Sequence, residues 1–173
     1  MQRISLLLLF VLLAPALHAQ RGVITGAALE YQERNFEQAV LDARKGLANG
    51  EGLKDKHIAK AHRTITNSLI MLYNQARAKP EEMAELEKNF PQYATSAYES
   101  MNKAIQADDR TDFEPQFLAL LGDALFNKAR AANEAGQPQE AMQYITMAED
   151  AFERANNPYP VVHYLKGFIL AGK

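Results

Sequence analysis

Three of the four histidines, the adjacent acids Glu81-Glu82 and Asp108-Asp109, and one stripe of amides and cations are the candidate residues for chemistry. His57 and His62 stand five apart, about 140° around a helix, so they would not jointly grip one metal as i,i+4 residues can. His163 precedes Tyr164 and reads as a packing residue in an aromatic end helix. The acids Glu81-Glu82 follow Pro80, and Asp108-Asp109 fall in a polar run. Both read as caps and solvated charge; a tuned acid/base pair would need a buried cleft to shift a pKa. There is no G-x-S-x-G elbow, Gly-rich phosphate loop or H-E-x-x-H pair, the spacings that would carry acyl transfer, nucleotide binding or zinc hydrolysis. The absence of Cys removes disulfides, thiolate metal sites and a thiol nucleophile. The chain is expected to be no enzyme and to need no cofactor or metal. What remains is Lys56, Lys60, Arg63, Asn67 and Asn74, at steps of four, three, four and seven, which share one helix face. Such a stripe is either an anion-binding face or an ordinary solvated one.

These residues need helices to position them, and the composition supplies helices. Of 173 residues, 28 are Ala and only 13 are Val or Ile, a ratio that favours helix over sheet. The charge is nearly balanced, 19 Lys+Arg against 21 Asp+Glu. That excludes the basic surplus of a nucleic-acid binder, and 47% hydrophobic residues exclude a disordered chain. Apolar residues at steps of three and four predict helices over about 22–33, 36–48, 53–78, 91–107, 115–135, 138–155 and 161–170. A short polar helix is expected over 81–89. The longest carries the stripe Ile58, Ala61, Ile65, Ser68, Leu69, Leu72, Tyr73 and Ala76 opposite the polar one. Glycines and prolines punctuate the intervals. No window alternates as a strand does, so the fold class is all-α.

Residues 1–19 read as a secretory leader: Arg3, the apolar run Ile4–Leu13, then cleavage after Ala16 or Ala19. The run falls short of the roughly 20 residues that span a bilayer, so no stable membrane span is expected once the leader is cut. Removal of Arg3 leaves 18 basic against 21 acidic residues, a net charge of −3. The expected place of action is outside the cytoplasm, periplasmic or secreted.

The remaining chain repeats itself. Ala39-Ala43-Gly46, Ala97-Met101-Ala104 and Ala141-Ile145-Ala148 share one spacing, a small residue followed at +4 and +7 by small or apolar ones. Partner helices offer contact points at Ala28 with Tyr31, Leu121-Gly122 with Leu125-Phe126, and Gly167 with Leu170. Small residues let two helix axes approach closely. With LLGDALF (120–126) as a first element and NFEQAVLDARKGL (35–47) and QEAMQYITMA (139–148) as second elements, the chain resembles the tetratricopeptide repeat family. The leader and the start AQRGVITGAALEYQERNFEQAVLDARKGL resemble exported members from Bacteroidetes-type bacteria. The marker alanines stand 58 and 44 apart, so the period is irregular.

The resemblance implies a right-handed α-α superhelix of about three helix pairs plus a terminal helix. Its units would be roughly 22–48, 53–107 and 113–155, with a partial one at 159–173. It implies a non-catalytic scaffold of the bacterial envelope that binds a peptide or protein surface. In that family first helices line the groove, so Lys56, Lys60, Arg63, Asn67 and Asn74 become candidates for holding an acidic or C-terminal peptide. The end helix is apolar nearly all round; Val162, Leu165, Phe168 and Ile169 are candidates for docking onto a partner or a second copy. The rival reading is a closed helical bundle that carries a small apolar ligand in an enclosed cavity.

Overall fold

The computed structural model describes residues 19–48, 50 and 52–171. The expected leader, all but Ala19, therefore lies outside the described residues. Among those residues every regular element is helical, and no strand occurs. In order the helices are α1 over residues 19–32, α2 Phe36–Ala48, α3 Asp55–Ala76 and α4 Pro80–Asn89. They continue as α5 Tyr93–Ala107, α6 Pro115–Glu134, α7 Pro138–Arg154 and α8 Pro160–Leu170. Four of them, α4, α6, α7 and α8, start on proline. A first-turn proline costs no hydrogen bond, because that amide has no partner in a helix anyway. The residue before Pro80, Lys79, is extended (φ −132°, ψ 110°), the conformation a following proline imposes; α3 accordingly ends at Ala76, two residues short of the expected 78. Pro91 does not open α5. Tyr93 N–H instead closes a turn onto Phe90 C=O (2.9 Å), and the helix begins at Tyr93. Among the described residues no helix is long and apolar enough to cross a membrane.

The described chain forms two compact units, residues 19–68 with 101–111 and residues 69–100 with 112–171. Helices α3 and α5 contribute residues to both. In the first unit α1 turns into α2 through Arg34, which adopts a left-handed φ of 65°. Arg34 N–H donates to Tyr31 C=O (3.1 Å) and Asn35 N–H to Glu30 C=O (2.9 Å). This is the paired closure of a Schellman turn, which satisfies carbonyls a helix end would leave orphaned. Gly46 of α2 lies against Ile24 of α1 so closely that a Cβ there would meet the Ile24 side chain. The buried residues of this unit include Ile24, Phe36, Val40, Leu53, Ile65 and Met101. Thr64 and Thr66, buried within α3, give their hydroxyl protons to the carbonyls of Lys60 and His62 (3.0 Å each), so neither hydroxyl is left unsatisfied.

In the second unit α6 packs on α7, and α8 packs on both. The α6–α7 turn repeats the closure of the α1–α2 turn. Gly136 has φ 72°, Gly136 N–H donates to Asn133 C=O (3.0 Å) and Gln137 N–H to Ala132 C=O (2.9 Å). Asn156 (φ 49°) ends α7 in the same way, with bonds to Glu153 and Phe152. Gly122 faces the Phe152 ring, and three ring carbons lie 2.8 Å from where its Cβ would be. The expected contact at Gly167 does not form: nothing lies within 4 Å of a Cβ there, and Leu170 is exposed. All nine residues of the three repeated triplets are buried.

Candidate functional site

The densest set of interlocked polar side chains in the second unit is built on one tyrosine. Tyr73 lies on the stretch of α3 whose other core positions are Leu69, Ile70 and Ala76, so the helix period drives it inward. Asp123 and Asn127, four apart on α6, share one face and meet it. The Tyr73 hydroxyl donates to Asp123 Oδ2 (2.6 Å) and accepts from Asn127 Nδ2 (2.8 Å), which satisfies a phenol otherwise costly to bury. Arg77, one turn beyond Tyr73, holds its Nη1 3.5 Å from Asp123 Oδ2. Tyr93, the first residue of α5, is buried and stacks on Tyr73 with ring centroids 5.7 Å apart. Lys128 Nζ stands 5.1 Å from the centre of the Tyr93 ring and donates to Glu87 Oε1 of α4 (2.6 Å). That arrangement adds a cation–π attraction to an ion pair.

Above this cluster opens a cleft of about 260 Å³ lined by Tyr73, Arg77, Met83, Glu87, Tyr93, Asn127, Lys128, Arg130 and Ala131. Burial pushes both tyrosines well above the usual phenol range, with Asp123 adding at Tyr73 and the Tyr73 phenol adding at Tyr93. Near neutrality they therefore present hydroxyls, not phenolates. Three cations and one carboxylate line the cleft, and the further carboxylates Asp123 and Glu134 pair with Arg77 and Arg130. Binding and orientation are what this arrangement can do.

The residues singled out in sequence fall elsewhere. Lys56, Lys60 and Arg63 are exposed on the first part of α3, and Asn67 on the same side is half-buried. Asn74 is half-buried in the second unit and does not line the cleft. Of the docking residues, Val162 and Ile169 are buried, Leu165 is half-buried and Phe168 is 39% exposed. The outward apolar side chains of α8 are instead Val161, Tyr164, Phe168 and Leu170. Tyr164 and Phe168 stack one turn apart, with centroids at 6.5 Å. His163 does not pack among aromatics: it is exposed, and its Nδ1 lies 3.2 Å from Glu149 Oε1, a carboxylate that Lys166 also contacts.

His57 and His62 have lowered pKa values. Burial leads at both; Arg21, Lys56, Lys54 and Lys60 add at His57, and Lys103 adds at His62, which falls to about 4. Both are neutral near pH 7. Among the described residues no three His, Cys, Asp or Glu gather closely enough to hold a metal. Asp108 caps its own loop, accepting from the Arg110 backbone N–H (3.2 Å) and the Arg110 guanidinium, which holds its carboxyl below the usual range. Glu82 accepts from Lys79 (2.6 Å) in the first turn of α4.

The Tyr73 cluster carries no sequence motif, because its members come from α3, α4, α5 and α6. The one available signal was the i,i+4 pair Asp123/Asn127 beside the LLGDALF element. No protein-family model matches the chain, nor does any curated protein or solved structure.

Proposed function

We propose that the chain is a non-catalytic protein-interaction scaffold of the bacterial envelope. In this reading its helix pairs form a right-handed superhelix similar to tetratricopeptide repeats, exported by a leader that is then removed. One observation carries it: the α1–α2 and α6–α7 turns are closed by the same two backbone bonds around a left-handed residue. Each is followed at the same offset by a buried alanine, Ala39 bonded to Asn35 C=O and Ala141 to Gln137 C=O. Equivalent hairpins with equivalent buried alanines are the mark of repeated units.

A surface of cations with half-buried amides suits a peptide or protein partner carrying carboxylates. Lys56, Lys60, Arg63 and Asn67 offer such a surface on α3. The charged side chains in the cleft lining, Arg77, Glu87, Lys128 and Arg130, fit this reading better than carriage of an apolar ligand. Self-association through Tyr164, Phe168 and Leu170 of α8 belongs to the same proposal, and light scattering over a concentration series reads it out.

The decisive experiment is a cross-linked capture from native envelope, comparing the natural chain with Lys60→Glu/Arg63→Glu. Loss of the captured partner with an unchanged circular-dichroism melt supports the α3 face. Undiminished capture by the folded variant removes it.

A further inference from the structure

We propose that the cleft beneath α4 is a docking surface for an acidic helical segment of a partner protein, and that α4 is its resident competitor. This rests on the scaffold reading and adds a second surface with its own regulation.

Helix α4 carries four glutamates, Glu81, Glu82, Glu85 and Glu87, against one lysine, Lys88. Of its ten residues only Leu86 is buried, with Phe90 at its C-cap also inside. A helix of this length is marginal on its own in water, so it depends on tertiary contacts, among them those two side chains, the half-buried Met83 and one ion pair. The ion pair is Glu87 to Lys128, a carboxylate seated on the cation that stands over Tyr93. Arg77 and Arg130 line the same cleft, and their nearest carboxylates, Asp123 and Glu134, are 3.5 and 3.7 Å away. Arg77 hydrogen-bonds Asp123 and Arg130 is ion-paired with Glu134, but a guanidinium carries five N–H donors, so each keeps donors for a further carboxylate. The chain thus displays in its own α4 what the surface takes: a leucine followed by a glutamate on a short acidic helix. Pro80 at its first position and the turn at Pro91 bracket α4. Turns, not continuous helix, join it to α3 and α5, so α4 can open as a segment of low local stability at the cost of the Tyr93–Phe90 turn bond.

The test titrates the full chain with a labelled peptide copying residues 79–91, KPEEMAELEKNFP. Glu87→Gln in the protein weakens the competitor while leaving the cleft intact. The ion pair is partly exposed, so the gain in peptide affinity is about three- to fivefold. Adding Lys128→Met to Glu87→Gln abolishes that gain, and a peptide with its own Glu87→Gln shows none. Amide exchange in α4 speeds up in Glu87→Gln while α6 keeps its protection, which shows the variant folded. Equal affinity for all three proteins, a gain that survives Lys128→Met, or no binding to any of them overturns the proposal. Success here with failed envelope capture would remove the scaffold reading alone; capture with no peptide response would remove α4 as competitor alone.

Discussion

Gly122 offers the sharpest quantitative test of how the helix pairs are held. In Gly122→Ala the new Cβ would sit 2.8 Å from three carbons of the Phe152 ring, well inside van der Waals contact. The ring has little room to move away: Phe152 is buried, and Tyr159 packs against it at 5.0 Å between centroids. Tyr159 is in turn edge-on to Phe126 at 5.8 Å. Overpacking of this kind costs about 1–3 kcal/mol. Against it stands the helix propensity of Ala over Gly, worth about 1 kcal/mol. The net expectation is a destabilisation of about 0–2 kcal/mol, read from the urea midpoint at constant m. The sign should reverse when the wall is cut back. In a Phe152→Leu background, itself destabilised, the same Gly122→Ala change should stabilise by up to about 1 kcal/mol. The double-mutant cycle then yields a coupling of about 1–3 kcal/mol. A Gly122→Ala effect that is the same with Phe152 and with Leu at that position would refute the close-contact argument.

Further expectations follow from the same geometry. Arg34→Gly should stabilise by about 1 kcal/mol and Gly136→Ala destabilise by about as much, because both positions hold a left-handed backbone; opposite signs in thermal melts are the test. Tyr73→Phe removes both hydroxyl bonds and strips a partner from a partly solvated Asp123, costing about 1–2 kcal/mol. The unfolded phenol releases its proton near pH 10 while burial holds the folded one above that. Stability is therefore intact below pH 10 and falls as pH rises further, with a shallower fall in Tyr73→Phe. For His62, held down at about 4 against an unfolded value near 6.5, stability is intact above pH 6.5. It falls between there and pH 4, and an NMR titration midpoint near 6.5 would contradict the burial. Intact mass of the chain recovered from a Gram-negative periplasm should start at Leu17 or Gln20; a start at Met1 would remove the leader.

Helix content was legible because its signals are local. Proline at a first turn, glycine past a last turn and an apolar step of three or four are read within a few residues, and the helices of the described residues lie close to their expected spans. The errors fall where a local signal admits two solutions. Pro91 could open a helix or sit in the turn before one, and the Tyr93–Phe90 bond chose the turn. In α8 an all-round apolar pattern hid which side was covered, and packing buried Val162 and Ile169 while leaving Tyr164 and Leu170 outside. The Tyr73 cluster was invisible for a different reason: Tyr73 and Asp123 are 50 residues apart, and no spacing rule connects them.

The repeats fall between these cases. The triplet spacing and its irregular period were readable, whereas the shared turn closure was not, because the closing turns use unlike residues for one conformation. Arg34 and Gly136 share a left-handed φ and the same pair of capping bonds. Only glycine adopts that φ without steric cost, so Arg34 gives no hint of the turn it makes. What the two turns share is the backbone closure and the buried alanine four residues after Asn35 and Gln137. A comparison of residue identities passes over the turn and finds only the alanine, although the two turns share their closing bonds.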